Sequence, residues 1–310
     1  MTDHIPISSI FVDTGRSKSA FERFEFLRRY GREENFCRAL VLCGPSRSGK
    51  TQMVHQYIRN ALGECGAGRS VARIVYVRTL KGCTPRTFCE NMLVALKDPD
   101  PDGGSLADKI RRITEAIRRY GVEMLALDDV HWLVDLETNR INSDVAMLIA
   151  SLLNECVCPI LVIGEMAVQR IFEGRAYAEG RTMGEFVVTP FDWRDERDRL
   201  EFRAFLHQID NHLDLPGKSN LAAPNVALRI HSFSGGLLGQ AARLVGDARM
   251  LAHHRSLPSI SHELLAETVD RLRIGAAKNL LNPFRIDAIE PAPPAALYPP
   301  VAEKKPRKKK

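Results

Sequence analysis

The stretch ALVLCGPSRSGKT, Ala39 to Thr51, joins a short apolar run to a glycine-bracketed loop ending in Lys50–Thr51. Five apolar residues followed by Gly-Pro read as a buried strand. Gly44 to Thr51 then matches G-x-x-x-x-G-K-[ST] in full. The glycines let the backbone curl so that successive N–H groups face phosphate oxygens. The helix expected over about Lys50–Leu62 turns its positive end toward the same phosphates. Gly44, Pro45, Ser46, Arg47, Ser48, Gly49, Lys50, Thr51 and Gln52 are therefore the expected nucleotide-binding residues. Lys50 would place a point charge on the β- and γ-phosphates, and Thr51 would offer its hydroxyl to Mg²⁺. ATP and Mg²⁺ are the cofactors this pattern asks for.

A second half-site follows in MLALDD, Met124 to Asp129. An apolar strand that ends in acid has the form of a Walker B segment. Asp128 would hold Mg²⁺ through water, and Asp129 would polarise the attacking water. Glutamate is the usual residue at the position of Asp129. Aspartate is one methylene shorter, which predicts slow hydrolysis; the alternative role for Asp129 is a turn or cap.

Working outward, RIVYV (Arg73–Val77), PILVIG (Pro159–Gly164) and EFVVTP (Glu185–Pro190) read as further strands. Helices are expected over about Ser19–Tyr30, from Thr84–Pro85, over Leu106–Tyr120 and over about Ser143–Glu155. On the Leu106–Tyr120 helix, Leu106, Ile110, Ile113, Ile117 and Tyr120 share one face, with Lys109, Arg111, Arg112, Arg118 and Arg119 elsewhere. Alternating strands and helices imply an α/β fold with a mostly parallel five-stranded sheet flanked by helices. One strand between the loop and the Walker B segment is the order of P-loop ATPases with an inserted strand, and argues against the small-molecule kinases. After about Asp192 only helical stretches remain, near 194–210, 222–252 and 261–274. The expected organisation is a lead-in (1–36), a P-loop α/β domain (37–192), a helical lid (193–280) and a flexible, proline-rich basic tail (281–310).

The formal charge is +6, yet EKKPRKKK at 303–310 carries +5 of it (six basic residues, one acidic). The body is therefore near +1, and charge alone gives no reason to assign it to nucleic acid. No long apolar run suggests a membrane span and no secretory signal is read at the N-terminus, so a cytoplasmic setting is expected. Seven scattered cysteines read as reduced thiols, and Cys156–Cys158 lacks a second pair at zinc spacing.

Five segments give the chain a family resemblance over roughly residues 10–275. They are GPSRSGKT; VRTLKGCTPRTFCENMLVAL; LALDDVHWL; GRTMGEFVVTPFDW; and the lid segments LDLPGKSNL and IHSFSGGLLGQAARLVGDARMLA. Together they resemble AAA+ ATPases, and more narrowly the TniB/TnsC family of transposition regulators. The resemblance implies an AAA+ core with a small helical lid. It implies an ATP-bound homo-oligomer, ring or filament, on double-stranded DNA without sequence readout. Such an oligomer recruits and activates a DDE transposase, takes target information from a TniQ-type or other targeting protein, and disassembles on hydrolysis. Some relatives serve CRISPR-associated transposons; no membrane partner is implied.

Residue roles follow from the same resemblance. Arg181 would be the finger that reaches a neighbouring subunit's γ-phosphate, with Arg175 as runner-up and a solvated loop arginine as the plain alternative. Lys81 and Arg86, around the Thr-Pro turn, would face the DNA backbone, and Arg140 is a similar candidate. In the lid helix Arg243 is a better phosphate contact than Gln240. The strand that ends at Gly164–Glu165 departs from the family, which usually has a small polar sensor there. Arg111, Arg112, Arg118 and Arg119 read as a solvated helix face. His131 reads as a packing residue, and His253–His254 as helix-end imidazoles. Two other functions fit the same residues. One is a nucleotide-gated scaffold with negligible hydrolysis. The other is an AAA+ signalling or initiator-like ATPase, against which the absence of a winged-helix domain after the lid counts.

Overall fold

Residues 7, 10–33, 36–63, 73–133, 143–172, 180–273 and 281–296 are described in a computed structural model of the chain. The strands β3 (Ala39–Cys43), β4 (Ile74–Arg78), β5 (Met124–Asp128), β6 (Ile160–Gly164) and β7 (Thr182–Val187) form one five-stranded sheet in the order β4-β5-β6-β3-β7. Every pairing in it is parallel. β6 lies between the phosphate-loop strand β3 and the acidic strand β5, so both motifs and the end of β6 open at the same edge. A two-stranded ladder of β1 (Arg32–Glu33) and β2 (Phe36–Cys37) precedes it.

Period-two alternation explains the three layers. Val41, Cys43, Val75, Val77, Leu125, Leu127, Ile160 and Val162 point to one face and pack with residues of α3 (Pro85–Ala95), α4 (Leu106–Tyr120) and α5 (Ser143–Asn154). Leu40, Leu42, Ile74, Met124, Ala126, Leu161 and Ile163 point to the other face. There they meet Ala20, Phe24 and Leu27 of α1 (Gly15–Tyr30) and Met53, Val54 and Tyr57 of α2 (Lys50–Gly63). A sheet buried on both faces needs strands that are apolar throughout, which is what these are.

Local chemistry sets the helix ends. Thr14, Thr84 and Ser105 each accept the N–H three residues on, from Ser17, Thr87 and Asp108. Gly121, at φ 62°, ends α4 in the left-handed conformation that glycine adopts without strain.

The third core belongs to the lid: α6 (Glu196–Asn211), α7 (Pro224–Ser234), α8 (Leu238–His254) and α9 (His262–Leu272) bury Phe202, Leu206, Ile209, Leu244, Val245, Leu265 and Val269 together. The expected 222–252 stretch is two helices. It breaks at Gly235–Gly236, with φ 60° and 76°, and a Cβ on Gly236 would sit 2.0 Å from the carbonyl oxygen of Phe191.

Three further expectations differ from the structure. β7 begins at Thr182 rather than Glu185, because the register slips between Ala39 and Val41 and hides the strand's alternation. On α4, Leu106 is exposed and Lys109 is wholly buried. Lys109 Nζ donates to the carbonyls of Pro101 (2.6 Å) and Gly103 (3.1 Å) and lies 3.3 Å from Glu90. It ties the Asp-Pro loop down from inside. Residues 281–296, expected to belong to a flexible tail, lie against the lid. Phe284 is buried, Arg229 donates to the carbonyls of Pro283, Ile286 and Asp287, and Ala295 N–H donates to Gly235 O. The basic stretch 303–310 lies outside the described residues.

Candidate nucleotide site

The phosphate loop leaves β3 and enters α2 with glycine at its two tight points. A Cβ on Gly44 would stand 2.6 Å from Val188 O, and Gly49 has φ 96°. Lys50 is buried at the start of α2, and its Nζ donates to Gly44 O (2.9 Å), Pro45 O (2.7 Å) and Ser48 Oγ (3.3 Å). Burial lowers the pKa of its ammonium, and the charges of Glu165 and Asp128 oppose that shift.

Asp128 sits at the end of β5, buried, with its oxygens occupied. Oδ2 accepts from Thr51 Oγ1 and from Tyr76 OH, each at 2.7 Å, and Oδ1 accepts from the Asp129 N–H at 2.7 Å. Burial and then the adjacent Asp128 charge push the Tyr76 hydroxyl's pKa well up, so it stays a donor. A threonine hydroxyl beside a carboxylate is a hard-oxygen pair that suits Mg²⁺. Thr51 and Asp128 would hold that ion, which neutralises phosphate charge when bound. Asp129 takes a different course. Its backbone is left-handed (φ 57°) and its carboxylate accepts from Arg78 Nε at 2.6 Å.

Ser46, Arg47, Gly49, Lys50, Thr51, Gln52, Asp128, Asp129, His131, Gly164, Glu165 and Gly239 line one cavity of about 230 Å³. His131 is half-buried, and burial lowers its pKa, which favours the neutral imidazole. The lid touches the loop where Gly239 N–H donates to Arg47 O at 2.9 Å. Arg47 itself is left-handed, with φ 63°.

Beside this lies a larger, mainly apolar cavity of about 530 Å³. Much of its apolar wall comes from the lead-in, α2 and α8, with Phe205 of α6 beside them. Ile10, Phe11 and Val12 precede α1, Met53 lies on α2, and Leu238, Ala242 and Met250 lie on α8. It shares Arg47, Gly49, Gln52 and Gly239 with the phosphate cavity, so the two form one cleft. The sequence reading missed this half, together with Tyr76, Arg78 and the reach of the lead-in. Arg243 lines the larger cavity with a half-exposed side chain, its Nε 3.9 Å from Asp247. Gln240 lines neither cavity. Arg16 fixes the lead-in to the lid by donating to both oxygens of Asp198, at 2.8 and 2.7 Å.

The remaining candidates lie away from the cleft. Arg181 precedes β7 at the sheet edge opposite the loop. Its carbonyl accepts from Ala39 N–H at 2.8 Å, its Nη1 donates to Leu153 O at 3.1 Å, and its guanidinium stacks 4.3 Å from the Phe36 ring centroid. Lys81 is exposed, with Nζ 5.5 Å from the Trp132 ring centroid. Arg86 is held by Glu90 at 3.0 Å and by Asp102 O at 2.8 Å. Arg112 is likewise taken, by Asp98 and by the carbonyl of Asp100. Arg140 and Arg175 lie outside the described residues. Among the described residues, no helix is long and apolar enough to cross a membrane.

Comparison with known proteins agrees with this architecture. The family model for the bacterial TniB protein matches residues 7–181, more than half of the chain. Nothing among curated proteins matches. Among solved structures, the Aeropyrum pernix ORC1 protein in complex with DNA is 18% identical, with a TM-score of 0.64 over 85% of this chain and 67% of that one. Cdc6p from Pyrobaculum aerophilum is 14% identical, with a TM-score of 0.65 over 88% and 72%. The Aeropyrum pernix ORC2 protein, in ADPNP–ADP complexes, is 15% identical, with a TM-score of 0.61 over 87% and 70%. With this fold and this match, the chain belongs to the TniB family and has the architecture of an AAA+ ATPase.

Proposed function

We propose that this chain is an ATP-dependent regulator of DNA transposition. It binds Mg–ATP in the cleft, oligomerises on double-stranded DNA, links a TniQ-type targeting protein to a DDE transposase, and disassembles when ATP is hydrolysed. The observation that carries the reading is the separation of Arg181 from its own phosphate loop. The cleft holds the loop lysine and the Asp128–Thr51 pair at one edge of the sheet, while Arg181 stands at the other. An arginine so placed does not reach its own chain's nucleotide; as the finger we propose, it serves a neighbour's, which would make hydrolysis depend on assembly.

Family membership supports the transposition role. The ORC1 neighbour is held with DNA and the ORC2 neighbour with ADPNP and ADP, and the same ligand classes are assigned here. Lys81, exposed at the turn after β4, supplies a cation for the DNA backbone, and Arg86 supplies a second once freed from Glu90. Lys50 and the loop N–H groups bind phosphate. Asp128 and Thr51 place the metal, and a carboxylate of the cleft takes the water's proton. A second reading, a nucleotide-gated scaffold that barely hydrolyses, is favoured by one contact: Arg78 occupies the Asp129 carboxylate.

Electron microscopy of the protein with duplex DNA tests the reading, comparing ATP, a non-hydrolysable analogue, ADP and no nucleotide. Rings or filaments only with triphosphate, lost in Lys50→Ala and Arg181→Ala, are expected. Monomers under every condition would overturn it. Assembly with ATP but no turnover would favour the scaffold.

A further inference from the structure

Three carboxylates line the phosphate cavity: Asp128, Asp129 and Glu165. Asp128 is committed to Thr51, Tyr76 and the Asp129 N–H. The side chain of Asp129, already short, is held by Arg78 at the exit of β4. Glu165 differs from both. It follows β6, the strand between the phosphate-loop strand and the acidic strand, and Gly164 before it pairs in register with Cys43, the residue that opens the loop. Its side chain does not cap the turn Met166–Ile171 that follows. Among the described residues its carboxylate has no hydrogen-bond or ion-pair partner.

We propose that Glu165, rather than Asp129, is the carboxylate that takes the proton from the attacking water. The proposal rests on the ATPase reading above and names the base within that site. Glutamate carries the extra methylene that Asp129 lacks, and it does so from the strand centred on the cavity. Gly164 makes room for this arrangement: a Cβ there would stand 3.1 Å from the backbone nitrogen of His131. An acid at the end of this strand thus offsets the aspartate beside Asp128. In the step itself, the water oxygen bonds to the γ-phosphorus as the bond to the β–γ bridging oxygen breaks. The electron pair of that bond leaves on the β-phosphate of ADP, and the water proton passes to the Glu165 carboxylate, which returns it to solvent as phosphate departs.

Hydrolysis of Mg–ATP by the full chain with and without duplex DNA, together with equilibrium ATP affinity, tests the assignment in Glu165→Gln, Glu165→Asp and Asp129→Asn. Removal of a general base costs about a hundredfold or more in kcat. Glu165→Gln is expected to show that loss with ATP affinity kept or tightened, Glu165→Asp a partial loss, and Asp129→Asn a loss of less than about tenfold. Turnover in Glu165→Gln within about threefold of the parent, or a loss in Asp129→Asn as large as that in Glu165→Gln, overturns the assignment and leaves the ATPase reading standing. A parent chain with no turnover under any condition overturns both. Melting temperatures separate a fall in kcat from a fall in folded protein.

Discussion

The two ends of the proposed nucleotide cleft are built by opposite means. The phosphate end is small and charged, with Lys50 turned back onto the loop carbonyls, Asp128 shared by two hydroxyls, and Asp129 held in a left-handed turn. The other end, which we propose takes the nucleotide base, is larger and mainly apolar, built from the lead-in and the start of α1, the phosphate loop, α2 and two lid helices, α6 and α8. Buried charge must be partnered before the ligand arrives, because an unpaired ion in a low-dielectric site is costly. Apolar walls need no partner and can come from segments far apart in the chain. One end is therefore pre-tied by polar bonds, and the other is assembled by packing.

The largest expected effect strikes the phosphate end. Lys50→Ala removes the charge aimed at the transferring phosphate, and loss of one such preorganised group lowers kcat by about 10²–10³-fold. Steady-state hydrolysis measures it, and turnover close to that of the parent would break the assignment of that end.

A smaller effect probes the joint. Gly239 donates to Arg47 O, and a Cβ there would stand 2.7 Å from that oxygen. Gly239→Ala must lever the lid from the loop, at about 1–3 kcal/mol for an overpacked contact. ATP affinity should fall by about tenfold, which is 1.4 kcal/mol. The fall should be shared by ADP and be weak for inorganic triphosphate, because only the former two reach the base end.

The clamp that builds the base end comes next. Asp198 binds Arg16 with both oxygens and also accepts from the Asp192 N–H at 2.8 Å. Burial alone would raise this carboxyl's pKa; the bonds from Arg16 and Asp192 outweigh it and hold it below the ordinary aspartate value. Asp198→Asn should cost about 1–3 kcal/mol of stability at neutral pH. A depressed carboxyl stabilises the fold above its unfolded pKa, and this contribution is lost as pH falls through the lower, folded value. The gap in melting temperature between parent and variant should therefore be full at neutral pH and close below about pH 4. A gap that widened in acid would contradict the clamp.

The smallest effect is remote from the cleft. Glu267 is held at a pKa of about 2 by Arg255 and, after an opposing burial effect, Arg271. It is partly exposed at the lid surface, remote from the cleft, so Glu267→Gln should move the melting temperature least and leave ATP affinity alone.

The same contrast explains what the sequence disclosed. Gly44–Thr51 and Met124–Asp129 are contiguous, and their chemistry dictates their order and spacing. Counting strands in the chain puts β4 between β3 and β5, whereas in space the strand between them is β6 and β4 lies at the edge. The base end was illegible because Ile10, Met53, Ala242 and Met250 are ordinary apolar residues, and an apolar residue in a ligand wall has the same pattern as one in a core. Tyr76 and Arg78 were hidden for a related reason. They reach Asp128 and Asp129 only because β4 and β5 pair in register, Arg78 opposite Asp128. Lys109 shows the limit of periodicity: its stem fits a buried face, and the carbonyls that receive its ammonium come from a loop outside the helix. The proline-rich stretch read as a tail by composition, yet Phe284 and the three carbonyls facing Arg229 fasten 281–296 to the lid.

We propose that both ends serve one nucleotide. Calorimetric titration of the full chain with Mg–ATP and with Mg–inorganic triphosphate tests it most directly. Saturable binding of ATP is expected, with triphosphate alone weaker by about tenfold or more, equivalent to at least about 1.4 kcal/mol from the apolar end. Equal affinity for the two would show that the apolar cavity takes no part, and absence of ATP binding would contradict the cleft altogether.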